Sequence, residues 1–164
     1  MDEPGDVVAA FIAAIEAKDL DTAIGLVTDD VSYENVPLAP IVGKGAMRAT
    51  LEGFLAPAGR VEWPVARQVV SGNVVINERL DRFQIGTGWL ELPIAGFFEV
   101  TDDGLIRVWR DYFDMATYTS GRSSGHAPIW WPALWRRRSA GNLRPKRCHG
   151  WRSRTSRSAG TWFR

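Results

Sequence analysis

The chain has 164 residues, 45% of them hydrophobic and 24% charged, which suits one globular domain with a sizeable core and leaves little room for a second. Its near-neutral balance hides a partition: residues 1–118 hold all 19 acids and 9 of the 20 bases, whereas residues 119–164 hold the other 11 bases, no acid, both histidines (His126, His149) and the single cysteine, Cys148. A body without His or Cys excludes Ser-His-Asp and Cys-His nucleophilic systems and the usual zinc ligands, a lone cysteine makes no internal disulfide, and no apolar run approaches the ~20 residues of a membrane span.

The opening MDEPGD is acidic where a secretory leader would be basic, so the expectation is a soluble, cytoplasmic protein. Pro4 to Lys18 carries Val7, Val8, Phe11, Ile12 and Ile15 at helical spacing, with Pro4 suited to a first turn. Leu20 to Val27 predicts a second, shorter helix. In VSYENVPLAP the prolines forbid regular central strand beyond Asn35. A third helix is predicted from about Lys44 to Leu55, entered at Gly43 and Gly45 and stopped by Pro57, with Met47, Leu51, Phe54 and Leu55 on one side. After Gly59 the period changes to two. Arg60–Val70, Val74–Phe83, Trp89–Val100 and Leu105–Phe113 predict four strands, with turns at Ser71-Gly72-Asn73 and Asp102-Asp103-Gly104. Helices followed by a meander give an α+β domain, a curved antiparallel sheet with the N-terminal helices on its concave face.

From about Ser120 the chain is a basic, Arg/Trp-rich tail with five of the eight tryptophans and no periodicity. Two readings stand: a phosphate-attracting arm for nucleic acid, or a stretch without selected function, as an out-of-frame reading of GC-rich DNA would produce. The second is preferred, so residues 119–164 are expected to be non-native or disordered and nucleic acid is not an expected partner.

Strand parity locates candidate chemistry. It puts Arg79, Asp81 and Phe83 on one face, with Glu78, Leu80 and Arg82 on the other, and it groups Trp109, Asp111 and Phe113. If these are concave faces, burial demands pairing, and Arg79 bridging Asp81 and Asp111 is the economical arrangement. One guanidinium cannot neutralise two carboxylates, so one acid keeps its proton: the equipment of general acid–base catalysis. A buried salt-bridge cluster or a solvated strand face would leave the same pattern. Glu34, Glu78 and Arg110 point the other way, and Asp114 reads as a strand end.

Three segments, Tyr33-Glu34-Asn35-Val36-Pro37-Leu38, Asn77-Glu78-Arg79-Leu80-Asp81 and Trp109-Arg110-Asp111-Tyr112-Phe113-Asp114, resemble the signature segments of the limonene-1,2-epoxide hydrolase family. The likeness continues through Gly43, Thr50-Leu51-Glu52-Gly53 and Leu92 to Phe98, and spans roughly Val7 to Tyr118. It implies a cone-shaped fold shared with nuclear transport factor 2 and ketosteroid isomerase, a homodimer, and cofactor-free, one-step hydrolysis of an epoxide to a vicinal diol. A metal is not expected in the same pocket, because Arg79 would repel a divalent cation and the usual imidazole ligands are absent. Carried over residue by residue, Asp111 would be the general base, Asp81 the general acid and Arg79 the bridge, with Tyr33 and Asn35 holding the water. Ile12, Ile15, Leu38, Phe83, Leu92, Ile94 and Phe113 would line the substrate site, which favours a compact, uncharged monoterpene or cycloalkene oxide. The resemblance also implies a short helix after the last strand, in whose place the basic tail is expected. A ketosteroid-isomerase-like or polyketide-cyclase-like enzyme on the same fold, and a non-catalytic binding or dimerisation module, are the alternatives.

Overall fold

The structure is a computed structural model that describes residues 3–120. Helix α1 (Pro4–Glu16) begins with Pro4 in its first turn, where no backbone N–H is needed. Its inward stripe, Val7, Val8, Phe11, Ile12 and Ile15, is buried. Helix α2 (Leu20–Gly25) is capped by Asp19, whose side chain accepts from the Thr22 N–H at 3.0 Å. Helix α3 (Lys44–Leu55) has the predicted bounds and buries Met47, Leu51 and Leu55.

Seven strands form one sheet: β1 (Val27–Val36), β2 (Ile41–Val42), β3 (Val61–Glu62), β4 (Val65–Ser71), β5 (Val74–Ile85), β6 (Gly88–Val100) and β7 (Ile106–Tyr112). The order is β2-β1-β7-β6-β5-β3, with β4 also paired to β5. The predicted antiparallel meander is β4 to β7. Its first hairpin turns at Gly72 and Asn73, where Gly72 takes a φ of +58° that a Cβ would disfavour. β5 and β6 pair along nearly their whole length and form the sheet's spine.

Four features differ from the sequence reading. Val27 opens β1 rather than closing α2, because it is fully buried at the start of the strand. The strand expected over Arg60–Val70 is broken into β3 and β4 around Trp63 and Pro64, since proline cannot donate to a ladder. β1, which is not among the four predicted strands, runs one residue past the expected limit at Asn35, to Val36, and lies parallel to β7, with Tyr33 opposite Trp109 and Asn35 opposite Asp111. Finally, a short helix α4 (Met115–Ser120) does follow the last strand, and Asp114 accepts from the Ala116 N–H at 2.9 Å at its start. Beyond its first two residues, which end α4, the tail of residues 119–164 lies outside the described residues, as do His126, Cys148 and His149.

The core fills the space between α1, α3 and one face of the sheet. Phe11 meets Phe98 and Trp109 edge-on, and Trp109 stacks on Phe98 and on Tyr33. The strand residues that share this face are buried, including Val75, Asn77, Arg79, Asp81 and Phe83 on β5. The opposite face carries the ion pairs Arg67–Glu78, Arg107–Glu99 and Arg110–Glu34, so Glu34, Glu78 and Arg110 point outward as parity requires.

Candidate active site

Three strands deliver the polar side chains to one place. Alternation on β5 sets Asn77, Arg79 and Asp81 in file along the buried face. On β7 it sets Trp109 and Asp111 on the same face, and parallel pairing brings Tyr33 and Asn35 of β1 beside them. The result is a cross-strand row, Asn35–Asp111–Gly96–Asn77, running over β1, β7, β6 and β5.

Arg79 reaches across this row. Its Nε donates to Asp81 Oδ1 at 2.7 Å, and its Nη2 to Asp81 Oδ2 at 3.2 Å and Asp111 Oδ2 at 2.6 Å. Its Nη1 donates to Asn77 Oδ1 at 3.1 Å. The second Asp111 oxygen accepts from Trp109 Nε1 at 2.8 Å. Arg79, Asp81 and Asp111 are all at most 5% exposed, so these charges have lost their water and must satisfy one another. Trp63 covers the guanidinium, its ring centroid 5.0 Å from Cζ, and Phe98 lies at 5.9 Å.

Burial and charge act together on Asp81, Arg79 and Tyr33. Burial raises the Asp81 carboxyl; contact with Arg79 opposes this, the nearby Asp111 charge adds to it, and the outcome is a pKa of about 7. Burial also opposes the charge on Arg79, but Asp111 and Asp81 outweigh that and hold the guanidinium protonated. Burial, followed by the Asp111 charge, pushes Tyr33 well above the ordinary phenol value, leaving it a neutral donor. The arrangement therefore contains a proton donor, a positive bridge and a second carboxylate within one hydrogen-bonded unit.

Of the residues expected at the site, Tyr33, Asn35, Arg79, Asp81 and Asp111 come together. Asn35 Nδ2 makes no hydrogen bond among the described residues. Ile94 and Leu92 are the β6 partners of Arg79 and Asp81, and flank the cluster on its own face. Phe83 lies one pleat beyond Asp81 and meets Trp63 edge-on. Leu38 and Phe113 are half-buried, Ile12 faces inward from α1, and Ile15 has no exposed surface. Sequence reading gave no role to Asn77 or Trp109, although parity already placed them beside Arg79 and Asp111. Trp63 was missed outright. Its position follows from the break between β3 and β4, and its backbone N–H is fixed by the Glu16 carboxylate at the end of α1. Among the described residues no cluster of His, Cys, Asp and Glu could hold a metal ion, and no helix is long and apolar enough to cross a membrane.

The fold matches small α+β proteins of the ketosteroid isomerase-like class. One is a protein of that fold from Catenulispora acidiphila in complex with trimethylamine (TM-score 0.63, 18% identity, 74% of this chain and 97% of the other). The site narrows the class. The limonene-1,2-epoxide hydrolase catalytic domain model matches residues 2–123, and the chain belongs to that family. Epoxide hydrolase EphG of Mycobacterium tuberculosis is 36% identical over 127 residues, 77% of this chain and 84% of the relative. The solved structure of an M. tuberculosis LEH-like epoxide hydrolase superposes with a TM-score of 0.62 at 35% identity, covering 68% of this chain and 83% of that one.

The raised Asp81 value has a consequence for stability. The folded state binds this proton more tightly than the unfolded chain, so the contribution is complete below the ordinary carboxylate value and is lost as pH rises through about 7. Wild type is therefore expected to lose on the order of 2–4 kcal/mol relative to Asp81→Asn between about pH 4 and pH 7, measured by urea unfolding. A stability difference that stays flat over that interval would contradict a protonated Asp81.

Proposed function

We propose that this protein is an epoxide hydrolase that adds water to a small apolar epoxide in one step, giving a vicinal diol by general acid–base catalysis without a cofactor. The observation that carries the reading is the single buried guanidinium shared by Asp81 and Asp111. Water is a weak nucleophile, and an epoxide opens to a poor alkoxide leaving oxygen. The reaction therefore gains from a base at the water and an acid at the ring oxygen.

Asp111 takes a proton from the attacking water as its oxygen bonds to an epoxide carbon. Asp81 gives its proton to the ring oxygen as the C–O bond breaks. The diol keeps all the atoms of epoxide and water, and the enzyme ends with the proton on the opposite carboxyl. Arg79, which touches both acids, supports the return of that proton through the cluster or by way of solvent. Tyr33 and the amide of Asn35, set beside Trp109 and Asp111 by β1, orient the water toward Asp111. Direct attack by water also suits a body without histidine, since an enzyme ester would need a separate base for its hydrolysis. The positive charge of Arg79 disfavours a divalent cation in the same place.

Apolar residues beside the acids, chiefly Leu92, Ile94 and Phe83, support a compact hydrocarbon epoxide such as a monoterpene or cycloalkene oxide. Isomerase or cyclase chemistry on this fold is disfavoured by the same bridge, because a base for moving a proton beside a ketone works best unpaired. A panel of cyclic and linear epoxides should give diols, with limonene oxide turned over and a β,γ-unsaturated ketosteroid left unchanged. Asp81→Asn and Asp111→Asn should each lower kcat by about 10²–10⁴-fold while remaining folded. A single turnover in ¹⁸O-water should label the diol. Unlabelled diol, or substantial turnover by either variant, would refute this mechanism.

The outer sheet face supports the homodimer. Val69 and Ile76 are cross-strand partners 62% and 38% exposed, and Tyr112, 44% exposed, packs on Phe97 beside them. An apolar patch rimmed by ion pairs is the usual anatomy of a subunit contact. Sedimentation equilibrium should report twice the chain mass, with Ile76→Glu shifting the protein toward monomer; a monomeric wild type would contradict this part of the proposal.

A further inference from the structure

Gly96 sits in the middle of β6, flanked by Asn77 on β5 and Asp111 on β7. Its backbone does not call for glycine, since its φ lies outside the left-handed region and the register is regular at its own pairings, the irregularity with β7 falling further along at Glu99 and Val100. The space does. A Cβ at this position would lie 2.2 Å from Arg79 Nη1, 2.8 Å from Asn77 Oδ1 and 3.1 Å from Asp111 Oδ1. The first two distances are closer than real Cβ atoms come, so an added methyl forces the guanidinium or its partner aside.

The register explains why. Arg79 is the β6-facing partner of Ile94, two residues away from the Asn77–Gly96–Asp111 row. To touch Asp111 its side chain must cross β6, and strands two apart are separated by roughly 9–10 Å. The missing side chain at Gly96 leaves the passage. Asn77 then fixes the guanidinium's third nitrogen: Nε and Nη2 are held by the aspartates, and Nη1 by Asn77 Oδ1. A neutral amide does this without adding a third negative charge to a cluster that already has two acids for one base.

We propose that Gly96 and Asn77 are positioning residues that together cradle the Arg79 guanidinium across β6, so that it spans Asp81 and Asp111. The catalytic consequence rests on the hydrolase reading above; the seating of Arg79 does not. Gly96→Ala should fold, and should lower kcat by about 10²-fold with KM little changed, as expected for misplaced reacting groups. The basic limb of its kcat–pH profile should move to higher pH, because withdrawing the guanidinium leaves Asp81 holding its proton more firmly. Asn77→Ala should lower kcat in the same sense by about tenfold.

A stability cycle tests the cradle without reference to turnover. Lysine lacks the Nη1 that the new methyl would strike, so Gly96→Ala should cost less in an Arg79→Lys background than in wild type. Should Arg79→Lys fail to fold, the Arg79 Nε–H resonance serves instead, and it should shift between wild type and Gly96→Ala. Equal costs in both backgrounds, or an unmoved resonance, would overturn the proposal. Non-additivity in a protein that opens no epoxide would keep the cradle and remove the hydrolase reading. Full kcat and an unchanged pH profile in Gly96→Ala would overturn the cradle's catalytic role while leaving the enzyme intact.

Discussion

Two carboxylates and one guanidinium have been taken out of water together, and the rest of the structure follows from what that requires. Each ion left unpaired in such a place costs several kcal/mol, so the geometry must be tight and the charged groups must be matched to one another. Arg79 makes at least one hydrogen bond through each of its three nitrogens. Its charge still covers only one negative neighbour. The surplus is removed by a proton, which Asp81 keeps to about pH 7. The cluster is then close to neutral overall, and the proton that makes its burial tolerable is also the one that the proposed mechanism delivers to the epoxide oxygen.

The scaffold around the cluster is correspondingly stiff. Trp109 is both a core residue and a hydrogen-bond donor: its ring stacks between Phe98 and Tyr33 while its Nε1 holds Asp111. Trp63 covers Arg79, packs against Trp109 and is tied to α1 through Glu16. The aromatic core and the reactive groups are thus one packed unit, so displacing a ring also displaces an acid. Placement on paired strands gives closer control of distance than loops would, since each side chain's height above the sheet is set by the pleat.

Much of this could be read from the sequence, for a definite reason. Period-two alternation is a local property, and it separated Arg79 and Asp81 from Glu78 and Arg82, and Asp111 from Arg110, without knowledge of pairing. Helix bounds at Pro4, Lys44 and Leu55 followed from residues that begin or stop helices. What local pattern could not give was register. Nothing near Tyr33 states that it lies parallel to Trp109, across a connection that includes α3 and most of the sheet. Nothing near Gly96 states that an arginine from another strand passes over it. Trp63 was hidden because a single long strand was expected where Pro64 breaks the chain in two. The helix α4 was obscured by the abrupt change of composition just beyond it.

The most direct test of the account is a carbon-13 NMR titration of the aspartate side-chain carboxyls in the folded protein, with Asp81→Asn supplying the assignment. One buried carboxyl is expected to keep its proton until about pH 7, and its signal to be missing from the variant. An Asp81 resonance that completes its titration near the ordinary carboxylate value, about pH 4, would contradict it.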